Sequence, residues 1–219
     1  MKTLNLVLGG TLASLLLIGG CASTQTTGTR QYSGFLSSYE GLTETTTPSG
    51  NTVMRWVDPS FTASNYDNVI YSPIGFYPQP TPTERVSQQT LQGVLDYTNE
   101  RIRSAMGQRL RLVNSPAPRT LTFRGAITAL DASTQGLKPY EVVPFALLAA
   151  GAMTAAGKRD QDTELYLEAE LIDTTSGKPV LRVARKGVGK TLESEKQAIT
   201  VDDLKSVIDD MTQDILRFP

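Results

Sequence analysis

Residues 163–173, TELYLEAELID, constrain the fold more than any other stretch of this chain. Leu165, Leu167, Ala169 and Leu171 alternate with Glu164, Tyr166, Glu168 and Glu170. Strand side chains point to opposite faces with a period of two, so the run reads as a strand with one apolar face. Residues 173–178, DTTSGK, make a turn, and 179–186 continue as a second strand. Facing requirements set the register: Leu181 and Val183 must share the face of Leu171 and Ala169. A three-residue loop at 175–177 with Gly177 left-handed meets this condition and sets Glu170 opposite Arg182. That cross-strand pair is expected to contribute at most about 1 kcal/mol. Glu164, Glu168 and Glu170 recur at every second or fourth position on one strand face, which predicts a solvated sheet surface rather than an acid–base set.

The remaining elements follow from periodicity and from breakers. Residues 119–131 form another strand, with Leu121, Phe123, Ile127 and Ala129 on its apolar side. Gly125 on that side marks a bulge or a close contact. Residues 68–77, NVIYSPIGFY, read as a strand in which Pro73 requires an edge or a bulge. Residues 84–108 form a helix with Leu91, Leu95, Ile102 and Met106 on one stripe, and 110–113 a short strand. The final helix starts at Thr200, with Asp203 at the N3 position of a capping box. Asp209, Asp210 and Asp214 are expected on its wet face. Residues 34–42 have the spacing of a short amphipathic helix docked on the domain, and 43–51 read as a polar loop. The fold class is therefore α/β of the α+β type. A single mixed sheet of about five strands carries two long helices on one face, behind an N-terminal lipid-tethered arm. The strand at 68–77 and that at 110–113 are parallel across a helical crossover.

Cys21, the only cysteine, ends the context LIGGC. Lys2 is a basic n-region, residues 4–18 are an apolar h-region, and Gly19 and Gly20 are the small residues before a cleavage site. This is the pattern of a bacterial lipoprotein signal, with lipid joined to the Cys21 thiol and several chains holding the protein to the bilayer. Ala22, where an aspartate would resemble inner-membrane retention, points to the outer membrane and a periplasm-facing protein. The division is 1–20 signal peptide, 21–33 lipidated cysteine and tether, 34–83 N-terminal arm and first strand, and 84–219 core, with 34–219 one domain.

The chain has no histidine and a net charge of −1. The first fact removes the commonest metal ligand and the usual neutral-pH base, and the second gives no footprint for nucleic acid. No cofactor, metal or catalytic residue is expected. Residues 187–191, GVGKT, lack the spacing of a phosphate loop. The uncharged stretch 142–156, VVPFALLAAGAMTAA, reads first as a crossover lying on the sheet. A sharper reading makes it an interaction segment through Val142, Phe145, Leu147, Leu148, Gly151 and Met153. A non-enzymatic interaction or envelope-assembly protein is the leading expectation, its partners the membrane and a second copy or another envelope protein. A small-ligand or lipid-binding module comes next, and an envelope enzyme using carboxylate or Ser–Lys chemistry last.

Four segments carry a family resemblance: GFLSSY at 34–39, RWVDP at 55–59, YDNVIYSPI at 66–74 and ELYLEAELIDTTSGKPV at 164–180. In order and spacing they resemble a bacterial lipoprotein family known as domain of unknown function 3313. The resemblance implies a Gram-negative envelope lipoprotein and no catalytic residues. The element order is also similar to periplasmic α/β domains of secretion lipoproteins such as the curli secretion channel. The single insertion here is not amphipathic, which argues against a pore.

Overall fold

A computed structural model describes residues 32–134, 161–194 and 196–218. Its strands are β1 (Thr43–Thr46), β2 (Thr52–Val57), β3 (Asn68–Tyr71), β4 (Gly75–Phe76), β5 (Arg111–Leu112), β6 (Thr120–Thr134), β7 (Gln161–Asp173) and β8 (Pro179–Leu192). The α-helices are α1 (Gln88–Arg109) and α2 (Val201–Leu216). All strands join one open sheet in the order β1-β2-β8-β7-β6-β3-β5, with β4 pairing β6 beside β3. β3 runs parallel to β5 and β6, and the long central strands are antiparallel.

The sheet has eight strands rather than about five. Two of the extra strands come from 43–57, where a hairpin replaces the expected polar loop and pairs Thr43 with Arg55 and Thr46 with Thr52. Gly50 takes φ 87° in its turn. A third arises because 68–77 is split around Pro73, which cannot donate to a ladder. The expected helix at 34–42 is absent: the segment is an irregular strap. Gly34 at φ 89° and Gly41 at φ 76° turn the chain, and the N–H groups of Ser33 and Ser37 and the carbonyl of Ser38 bond to Glu168, Glu170 and Arg182 of the sheet instead of to a helical ladder.

The β7–β8 register is the expected one, with Glu170 opposite Arg182 and Leu171 opposite Leu181. Gly177 is left-handed at φ 67°, and its N–H donates to Asp173 O at 2.9 Å. Helix α1 begins after Ser87, whose Oγ accepts from Thr90 N–H at 3.0 Å. At the start of α2 the Asp203 carboxylate accepts from the N–H of Thr200 at 2.8 Å and from its hydroxyl at 2.7 Å.

Both helices cover one face of the sheet. Leu91, Val94 and Ile102 of α1 and Leu204, Ile208 and Met211 of α2 pack on Leu121, Ile127, Leu165 and Leu167. Helix α2 lies so close to β8 that glycine is required there. A Cβ on Gly187 would fall on Val207, and one on Gly189 on the carbonyl oxygen of Asp203. The GVGKT stretch is thus a strand whose glycines admit a helix. Residues 135–160, including all six residues of the interaction segment, lie outside the described residues, as does Cys21.

Candidate functional site

Two places gather polar groups with burial, one on each face of the sheet. The first is the face opposite the helices. The strap at 32–42 crosses it from β7 over β8 to β2. Glu168 is fully buried and accepts from Ser33 N–H at 3.1 Å, Ser33 Oγ at 2.8 Å and the Tyr39 hydroxyl at 2.6 Å. Glu170, also fully buried, accepts from Ser37 N–H at 3.2 Å, Ser37 Oγ at 2.7 Å and Arg124 Nη1 at 2.6 Å. Glu164 pairs with Lys186 at 2.6 Å and accepts from the Tyr166 hydroxyl at 2.7 Å. Arg182 reaches away from Glu170: it stacks 4.1 Å over the Trp56 ring and donates to Ser38 O at 2.7 Å.

These carboxylates therefore do not face water, contrary to the expectation from their spacing. A buried carboxylate is tolerated when donors surround it, and the strap supplies them. The same arrangement closes the three to substrate. Burial first, and the bond to Glu168 second, push the Tyr39 phenol up to about 12. A phenol raised in the folded state contributes stability that is complete below its ordinary value near 10 and is lost as pH rises toward about 12.

Glu168→Ala leaves three donors without an acceptor, and a loss of about 2 kcal/mol is expected. Chymotrypsin should then cut at Phe35 or Tyr39 well before the core. Equal strap cleavage in variant and parent would show that Glu168 does not hold it.

The second place is a cavity of about 390 Å³ on the helix-bearing face. Its floor is Val53, Leu171, Leu181 and Val183 of the sheet. Its sides are Met106 and Leu110 at the end of α1, Met211, Ile215 and Phe218 at the end of α2, and Phe61 and Tyr66 from the loop before β3. Small and branched side chains on the sheet, Ala169 and Val183 among them, leave this volume beneath the helix ends.

One ion pair is buried in the cavity wall. Arg185 and Asp214 meet at 2.9 Å with side chains 7% and 9% exposed. Asp214 also accepts from Ser49 N–H at 2.8 Å, so it is not on the wet face of α2. Arg185 Nε is buried with no hydrogen-bond partner among the described residues. Burial pulls the Arg185 guanidinium below its ordinary value, against the opposing pull of Asp214; a guanidinium stays charged regardless. Two further arginines line the cavity. Arg55 lies 5.3 Å over the Phe218 ring, and Arg109 Nη1 donates to the carbonyls of Leu216 at 2.8 Å and Phe218 at 2.6 Å.

Comparison with known proteins places the chain. The model of a protein family described as "Protein of unknown function (DUF3313)" matches residues 31–215. The chain belongs to this family. It is 47% identical over 218 residues to the uncharacterized lipoprotein YdcL of Escherichia coli K12, covering 100% of this chain and 98% of that protein. Among solved structures, a PelC dodecamer from Paraburkholderia phytofirmans matches with a TM-score of 0.37 at 13% identity, over 76% of this chain and 97% of that one. A PDZ domain protein from Parabacteroides distasonis matches with a TM-score of 0.41 at 12% identity, over 80% of this chain and 36% of that one.

Sequence reasoning missed the cavity because its walls come from seven separate stretches of chain. Each contributes a few apolar residues indistinguishable from core. Arg55 and Arg185 were the available signal, being cations on strand faces otherwise apolar. Among the described residues no group of three or more acidic, histidine or cysteine side chains is placed to hold a metal ion, and no helix is long and apolar enough to cross a membrane.

Proposed function

We propose that this is a non-enzymatic, lipid-anchored binding protein of the Gram-negative envelope. It holds a small apolar or amphipathic molecule in the cavity under the ends of α1 and α2. The cavity carries the reading: its size falls within the range of about 300–1,000 Å³ found for small-molecule sites, and most of its lining is apolar, with three arginines and Asp214 among it. The assembly reading rests on residues 142–156, outside the described residues, so ligand binding moves ahead of it. The non-enzymatic assignment is supported by the lack of histidine and by Glu164, Glu168 and Glu170 each being engaged by neighbouring donors.

Anchoring through Cys21 at the outer membrane, facing the periplasm, is supported by the LIGGCA context and by the relative named a lipoprotein. Cys21→Ser is expected to abolish metabolic labelling with a palmitate analogue and outer-membrane retention. Unchanged labelling would place the lipid elsewhere.

The binding reading is tested on residues 22–219, which retain every described contact, purified without detergent. Native mass spectrometry should show a non-covalent adduct of small-molecule mass, and Val183→Trp should remove it. Absence of any adduct, together with no uptake of the neutral apolar fluorophore N-phenylnaphthylamine, would overturn the reading.

A further inference from the structure

We infer that the ligand is a single-chain acyl amphiphile with an anionic head, its chain in the cavity and its head on Arg55 and Arg109; this rests on the binding reading above. The charge balance of the lining carries it. Glu170 is committed to Arg124 and Ser37, on the opposite face of the sheet. Asp214 is committed to Arg185 and Ser49. Arg55 and Arg109 have no carboxylate partner among the described residues: one stacks on Phe218 and the other holds backbone carbonyls through a single nitrogen. Among the described residues the lining therefore carries two positive charges with no counter-charge, beside an apolar interior. Arg109 is exposed and Arg55 half-buried, which puts these charges at the mouth.

Asp214 already neutralises the third arginine of the lining, Arg185, so the anionic head belongs at Arg55 and Arg109. The volume, about 390 Å³, lies toward the small end of ligand sites and suits one chain rather than two. Guanidinium forks match a carboxylate bidentately, so a fatty-acid carboxylate is the head to which we commit.

The test is displacement of N-phenylnaphthylamine from residues 22–219 by hexadecanoate and by hexadecanol, which differ only in the head. Hexadecanoate should displace the dye at a concentration about tenfold lower, the factor expected for charge-assisted hydrogen bonds at a partly exposed site. In Arg55→Gln/Arg109→Gln the two should become equal while dye binding persists. Equal displacement in the parent protein, or a preference for the alcohol, would overturn the anionic head and leave the cavity as a neutral apolar site. Failure of both compounds and of the dye would overturn the binding reading as well. Displacement by a lysophospholipid but not by hexadecanoate would overturn the carboxylate assignment in favour of phosphate.

Discussion

Asp214→Ala is expected to cost about 3–5 kcal/mol, because it leaves the Arg185 charge buried beneath α2 without a counter-ion. For a domain of this size that corresponds to a fall in Tm of roughly 6–20 °C. The loss has two further contributors. The N–H of Ser49 loses its acceptor, and the loop between β1 and β2 loses its tie to α2. The pair itself is not expected to be a large net stabiliser, since taking two charges out of water offsets much of their attraction. The double variant Arg185→Met/Asp214→Leu should therefore recover most of the lost Tm. Thermal unfolding of the three proteins decides the matter: a single variant within about 1 kcal/mol of the parent would mean that water reaches Arg185 freely.

Gly189→Ala should cost about 3 kcal/mol, a large effect for one methyl group. The new Cβ would fall on the main-chain carbonyl of Asp203 and 2.5 Å from Thr163 Oγ1. That hydroxyl is shared between the carbonyls of Lys190 at 2.9 Å and Asp203 at 3.2 Å, tying β7 and β8 to the first turn of α2. Neither obstacle is the free end of a flexible side chain, so the helix must lift, and the capping arrangement at Thr200 lifts with it. Gly75→Ala is the control, since nothing lies within 4 Å of the added carbon and the backbone is not left-handed. Equal unfolding midpoints for the two variants would show that α2 is free to shift along β8.

The β7–β8 hairpin was legible down to its register because one face had to be apolar and the period is two. What the alternation could not say is that its second face is also dry. That outcome depends on Ser33, Ser37 and Tyr39, which lie about 130 positions away and present their donors only once the strap is laid down. The β1–β2 hairpin was hidden for a related reason. β1 is TETT on an open sheet edge, with no apolar alternation to read. In β2 the adjacent Val53 and Met54 are both buried, one under each cover of the sheet, which cancels the period-two signal. Asp214 looked like one more carboxylate in the acidic run of α2. Its partner Arg185 is on β8, and the chain contains no local mark of their meeting.

The strap also determines how the domain would carry load. The chain enters the described fold at Tyr32, stacked on Tyr39 with ring centroids 4.3 Å apart, and passes Glu168, Glu170 and Arg182 before it reaches the edge strand β1. A pull from the amino-terminal side meets these stitches from Ser33 to Tyr39. The Tyr39 hydroxyl couples them, since it accepts from the N–H groups of Gly34 and Leu36 and donates to the Glu168 carboxylate that also holds Ser33. The ladder between β1 and β2 is strained only after the strap has opened, so the strap is a linked seam that yields ahead of the sheet.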